Sequence, residues 1–299
     1  MVYLLVPMAS TIERLPGKSL PPAVVPWLPL GWFSLLLLIC YAPVLQRLVV
    51  QWYQDQDMGH GFFVPIIAGY IAWQKRDELF AETATPNWWG LLVVAYGAFQ
   101  LLIATLGAEL FLARTAFIIS LVGMILVLGG SRALRILAFP LFLLCFMVPI
   151  PSIIYNQVTF PMQLFASRVA DEVLMFVGIP VLREGNILEL ASQRLNVVEA
   201  CSGIRSLLSL SFLSLVYAYF FDKKVWMRFV LLVATLPISI LANAGRVTLT
   251  GVVSEYDAEL ASGVFHYASG WVIFIVALVI LVLFHQLVNL VYRRLHGRK

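Results

Sequence analysis

Long apolar runs alternate with short polar connectors along nearly the whole chain. Crossing a hydrocarbon core as a helix takes roughly 20 mostly apolar residues. About eight runs approach that length: Trp27–Leu45, Gly59–Trp73, Trp88–Leu106, Leu110–Leu128, Leu134–Ile150, Ser202–Phe221, Val225–Thr248 and Ser262–Val288. The pattern predicts an all-α polytopic membrane protein, with one domain over residues 27–290 between an N-terminal segment 1–26 and a tail 291–299. The connector 151–200 departs from the pattern. Its first half, Tyr155–Val177, spaces Arg168, Asp171 and Glu172 among apolar residues as a helix would, which predicts an amphipathic helix lying on the membrane surface. Its second half, Val181–Val198, alternates and carries Gly185-Asn186, the turn pair of a short hairpin between the fifth and sixth spans.

Charge then orients the chain. Arg14 and Lys18 precede the first run; Lys75/Arg76, Arg132/Arg135, Lys223/Lys224/Arg228 and Arg293/Arg294/Arg298/Lys299 follow every second one. The intervening connectors hold Asp55/Asp57, Glu109 and Glu255/Asp257/Glu259. The positive-inside rule therefore predicts that both termini face the cytoplasm and that 151–200 lies outside.

Composition supports the membrane reading. The chain is 61% hydrophobic and 12% charged, about half the charge of a soluble domain. Its basic excess, 20 against 16, lies in the connectors, so it sets topology and gives no reason to expect a nucleic-acid partner. The beginning of the chain lacks the basic, apolar and small-residue regions of a signal peptide, so insertion is expected to depend on the first retained helix.

Three cysteines, Cys40, Cys145 and Cys201, show neither CxxC nor Cys/His metal spacing. Cys40 and Cys145 fall inside apolar runs, where small buried hydrophobes are expected. Cys201 differs. It stands where a polar connector enters the sixth run, in Val197-Val-Glu-Ala-Cys-Ser-Gly-Ile-Arg-Ser206, with Arg205 four residues on. A helix N-terminus and a nearby cation both favour the thiolate, the nucleophilic form. Arg246 ends the seventh run in Asn243-Ala-Gly-Arg246, and His266 opens the eighth. The orientation read from loop charge puts these three helix ends on the same outer side. An amide and a guanidinium three residues apart suit a carbonyl or oxyanion, and an imidazole beside a thiolate suits general acid–base work. His60, at the start of the second run, belongs to the same side. Glu184, Glu189 and Glu199 read as solvated residues of the hairpin region. Paired carboxylates, HExxH, GxSxG and P-loop patterns are missing, so no metal or other cofactor is expected.

These residues resemble the exosortase/archaeosortase family. The resemblance rests on Cys201-Ser-Gly-Ile-Arg205, Asn243-x-x-Arg246 and His266, with support from Met58-Gly-His-Gly-Phe62, Pro149-Ile-Pro151 and Gly178-Ile-Pro-Val leading to Arg183-Glu-Gly-Asn186. It implies a multi-pass protein of the bacterial inner membrane, a cysteine endopeptidase and transpeptidase with its site on the periplasmic side. The implied substrates are membrane-anchored proteins with a C-terminal sorting signal of the PEP-CTERM type. Exopolysaccharide assembly machinery is a further implied partner. It also implies Cys201, Arg246 and His266 as the catalytic set, with Arg205, Asn243 and His60 in supporting positions. Two other readings compete: a non-enzymatic transporter or envelope-assembly component, with Arg246 and His266 lining a polar path, and an acyl transferase working through Cys201.

Overall fold

The computed structural model describes residues 27–81, 85–197, 203–257 and 264–297. The N-terminal segment 1–26 and the last two residues of the basic tail lie outside that set. The described chain is helical except for one small sheet. Among the described residues, four helices are long and apolar enough to cross a membrane, or five if one bent pair counts as a single span. Their outward faces are apolar. On the last long helix Val272, Ile275, Val279, Leu283 and Leu287 recur at three- and four-residue intervals and are all half-exposed or more. Such a stripe has no place in water, and hydrocarbon is its natural solvent.

The bent pair is α1 (Trp27–Cys40) and α2 (Ala42–Gln54), which meet at 69°. The first expected run thus continues past Leu45, with a polar second half. Pro43 sits in the first turn of α2, where its missing N–H costs nothing. Tyr41 fills the bend: its hydroxyl lies 2.8 Å from Ser120 Oγ, and its ring meets Phe117 edge-on at 5.4 Å.

A 3-10 helix follows, Gln56–Phe62, and α3 (Phe63–Gln74) begins only after it. The second expected run is therefore a 12-residue α-helix with a tight turn before it, and His60 lies in that turn. The turn is pinned from several sides. His60 Nε2 lies 3.2 Å from the Phe146 carbonyl, and Trp52 Nε1 donates to the Met147 carbonyl at 3.0 Å. The Tyr155 hydroxyl donates to Asp57 Oδ2 at 2.8 Å.

The short α4 (Arg76–Ala81) leads to α5 (Trp89–Leu106) and α6 (Leu110–Leu144). The fourth and fifth expected runs both lie in α6, separated by Gly130 at φ +77°, ψ −171°. No other residue adopts that backbone readily, and a Cβ there would meet the Thr85 carbonyl oxygen. The chain bends sharply at this point. Ser120 touches Tyr41 and Met147 accepts from Trp52, yet a straight helix would hold Ser120 and Met147 about 40 Å apart, farther than α2 can reach. Helices α5 and α6 approach through small residues: a Cβ on Gly123 would lie 2.7 Å from Val94 N and 3.0 Å from the Gly90 carbonyl.

Helix α7 (Ser152–Phe176) and the strands β1 (Val181–Glu184), β2 (Ile187–Leu190) and β3 (Arg194–Asn196) form the connector. The expected hairpin is present, with Glu184 paired to Ile187 across Gly185-Asn186 and Gly185 at φ +65°. A third strand, which alternation alone did not reveal, pairs with β2. The buried stripe of α7, including Met162, Ala166, Ala170 and Leu174, faces protein. Of these, Ala166, Ala170 and Leu174 pack with Leu188, Leu195 and Val197 on Ala244 and Val247 of α9 (Val225–Tyr256). Helices α8 (Gly203–Phe221), α9 and α10 (Val264–His296) then pack together through Leu210, Leu231 and Leu281.

Cys40 and Cys145 correct the expectation of buried thiols, because both are exposed on helix surfaces. An apolar run gives no periodic signal to say which of its faces is inward, and both thiols fall on outward faces.

Two outcomes test this architecture. Gly123→Val should lose about 1–3 kcal/mol of stability by forcing α5 and α6 apart. Gly69→Val should be neutral, since a Cβ on Gly69 meets nothing within 4 Å. Thermal unfolding in detergent separates the two.

Candidate active site

Of the residues expected to carry chemistry, Asn243 and Arg246 lie in the C-terminal half of α9. Asn243 and Arg246 lie three positions apart on this helix, next to Ala244 and Val247, the residues that receive α7 and the sheet. Asn243 is buried and Arg246 partly buried. The guanidinium of Arg246 lies against α10 at Gly270: a Cβ on that glycine would stand 3.4 Å from Nη2 and 3.5 Å from Cζ. A glycine at this contact lets a planar cation approach the neighbouring backbone. His266 precedes Gly270 by one helical turn on the same helix. The structure therefore brings the backbone of His266 and the side chain of Arg246 to the same end of the α9–α10 pair. The side chain of His266 lies outside the described set.

Cys201 and Glu199 fall between 197 and 203 and lie outside the described residues. The chain on either side is described. Val197 is fully buried in the cluster that holds Ala244 and Val247, and its N–H donates to the Asn186 carbonyl at 3.0 Å. Ser167 Oγ donates to the Gly185 carbonyl at 2.9 Å, which ties the hairpin turn to α7. The three strands thus deliver the chain to α9 just before the cysteine motif, and α8 opens two residues after Cys201 at Gly203. Arg205 lies in the first turn of α8, with its side chain outside the described set.

His60 Nε2 meets the Phe146 carbonyl, and its 3-10 turn packs against α8, the helix that opens on the cysteine motif. His60 fixes the tight turn before α3. Glu189 pairs with Arg194 at 3.2 Å across the sheet, both partly exposed, as the solvated reading of the hairpin acids expects. Among the described residues no group of three His, Cys, Asp or Glu side chains could hold a metal ion.

One polar cluster was not visible in the sequence. At the far end of the same three helices, Asp222 and His285 are buried. His285 Nε2 lies 3.0 Å from Asp222 Oδ2, and its Nδ1 lies 3.0 Å from the Tyr217 hydroxyl. Asn289 Nδ2 donates to Asp222 Oδ2 at 3.1 Å, and Lys224 Nζ donates to Asn289 Oδ1 at 2.6 Å. Burial alone would raise the Asp222 pKa, but the Lys224 N–H, His285 and Asn289 hold it below the usual carboxylate range. Residues 224 and 246 are 22 positions apart on α9, about 33 Å, so this cluster clamps the helices and does not share the chemistry of Arg246. Its only sequence signal was a lone aspartate beside two lysines and a histidine deep in the last run.

A family model for the transmembrane exosortase matches residues 52–283, well over half of the chain. No curated protein and no solved structure matches it. The matched region begins at Trp52, which anchors the turn bearing His60, and runs through the helices carrying the cysteine motif, Asn243, Arg246 and His266. The chain therefore belongs to the transmembrane exosortase family, and it is a multi-pass membrane protein with a sorting-related transpeptidase role.

Proposed function

We propose that this exosortase is a cysteine endopeptidase and transpeptidase that cleaves C-terminal sorting signals at the periplasmic face of a bacterial inner membrane. The observation that carries this reading is the contact of Arg246 with Gly270, one turn from His266. In this mechanism the Cys201 thiolate attacks the peptide carbonyl next to the sorting motif, forming the C–S bond. Arg246, with Asn243 on the same helix face, receives the charge that develops on the carbonyl oxygen. The tetrahedral adduct collapses, the C–N bond breaks, and His266 delivers a proton to the leaving amine. An acceptor amine or water, deprotonated by His266, then resolves the thioester and returns the thiol. Arg205 supports the thiolate from the first turn of α8, and His60 supports the fold of the outer face.

Covalent geometry supports the assembly. Four residues span at most about 14 Å, so the buried Val197 tethers Cys201 near the helix that carries Arg246. A membrane-anchored substrate suits a site at helix ends, because its own helix can lie beside α9 or α10 with the scissile bond just outside the hydrocarbon. We assign the two parts of α6 on either side of Gly130, the bent pair α1–α2 and the short α3 to separate passes, giving about eight spans with both termini cytoplasmic. On this reading residues 27–290 form one domain, α7 lies along the outer membrane surface, and exopolysaccharide assembly machinery is an associated partner. The polar groups of the site collect at one end of α9 and α10, which favours an enzyme over a transporter with a path through the midplane.

The test is processing of a tagged sorting-signal protein in cells. Cys201→Ala should leave only full-length precursor, and Cys145→Ala should process normally. Arg246→Gln should slow cleavage by roughly 100- to 1,000-fold, the scale of a lost oxyanion donor. If Cys201→Ala processes normally, the thiol mechanism is wrong and the transporter or assembly reading replaces it. An acyl adduct on Cys201 without precursor cleavage would indicate the acyl-transferase reading. Gly270→Leu should displace the Arg246 guanidinium and block processing while the protein still accumulates in the membrane, read by immunoblot of both enzyme and precursor.

A further inference from the structure

The joint between α2 and α6 holds a second polar site, separate from the cysteine motif. A cavity of about 530 Å³ opens there, lined by Gln46, Arg47, Gln51 and Gln54 of α2 and by Arg114 of α6. Arg114 is 3% exposed. Its Nε is buried without a hydrogen-bond partner, and its guanidinium makes no ion pair among the described residues. The nearest acid in sequence, Glu109, attracts Arg114 without forming an ion pair with it, and its carboxylate accepts from the Leu112 N–H at 2.7 Å as the cap of α6. Among the described residues no acidic side chain lines the cavity. A buried guanidinium is strongly disfavoured unless an anion meets it. Two arginines and three amides without a carboxylate among them therefore form a donor-rich pocket lacking its acceptor.

We propose that this cavity binds a phosphate group, with Arg114 and Arg47 as the paired cations and Gln46, Gln51 and Gln54 as neutral donors. Guanidinium forks match the several acceptor oxygens of a phosphate. The volume lies in the ordinary range of small-ligand sites. Arg114 stands one turn inside the start of α6, next to the apolar Leu110 and Val50 at the rim. That position suits the headgroup of an anionic phospholipid or the phosphate of a lipid-linked carrier, and a free phosphate offers the same chemistry. The site stands independently of the thiol mechanism, because none of its residues belongs to α8, α9 or α10.

Purified full-length protein in maltoside micelles, a phosphate-free host, tests it. Phosphatidylglycerol, phosphatidylcholine or inorganic phosphate is added, with native mass spectrometry and thermal unfolding as readouts. Phosphatidylglycerol should be retained by the wild type and raise its melting temperature. Arg114→Gln and Arg47→Gln should each weaken retention about tenfold or more, and Arg114→Lys should weaken it less than Arg114→Gln. Stabilisation by inorganic phosphate alone, lost in the same variants, would support the phosphate site and assign its source to a soluble group. Retention that is equal for phosphatidylcholine, or unchanged in Arg47→Gln, would overturn the proposal. Arg47 is exposed, so its variant decides the matter even if Arg114→Gln fails to fold.

Discussion

Hydrocarbon offers no hydrogen-bond partner, and this one constraint shapes the molecule. Every backbone group in the spanning region must be satisfied within the protein, so the chain is helix wherever it crosses and is irregular only where other protein covers it. The 3-10 turn around His60 shows the rule at work. Its side chains meet the Phe146 carbonyl, the Tyr155 hydroxyl and the ring of Trp52, from three other elements. The break at Gly130 is covered in the same way by Thr85. The sheet is docked on α9, with Leu188, Leu195 and Val197 packed against Ala244 and Val247.

The length of α9 explains how the site is built. At 32 residues, α9 is about 48 Å long, well beyond a hydrocarbon core of about 30 Å. The surplus is a protein-facing platform. Helix α7 and the three strands pack on Ala244 and Val247, and Arg246 lies between those positions, turned toward α10. The two ends of α9 then do different work. One end presents a guanidinium to a neighbour reduced to glycine. The other is clamped by Asp222, His285, Asn289 and Lys224, a network in which each member satisfies another. A closed network fixes the register of α8, α9 and α10, and a fixed register is what holds Arg246 and Gly270 in contact at the far end.

The features legible in the sequence were those with a local physical signature. Apolar runs follow from bilayer thickness, and the turn at Gly185-Asn186 follows from backbone preference. What could not be read depended on partners distant in the chain. The third strand is three residues long and takes its meaning from pairing with β2. The outward placing of Cys40 and Cys145 has no periodic signal in a run that is apolar all round. The engagement of His60 with Phe146, 86 residues away, leaves no mark in the sequence near His60. Cys201 itself remains a reading of sequence, since it lies outside the described residues.

Arg114 raises a different question: why a span should keep a buried cation whose nearby carboxylate, Glu109, caps α6 and forms no ion pair with it. A stabilising role is weak grounds, because a leucine of similar reach would pack α6 against α2 without desolvating a charge. Snorkelling is excluded by burial, since a snorkelling arginine keeps its guanidinium in water and this residue is 3% exposed. The positive-inside rule also argues against a topological role, because the orientation read from the loops puts Arg47 and Arg114 on the outer side, where cations do not help insertion. What remains is a ligand. A family whose substrates are anchored in the membrane works among phosphate-bearing lipids, and a donor-rich notch at the helix ends would bind such a group at the depth where Arg114 lies.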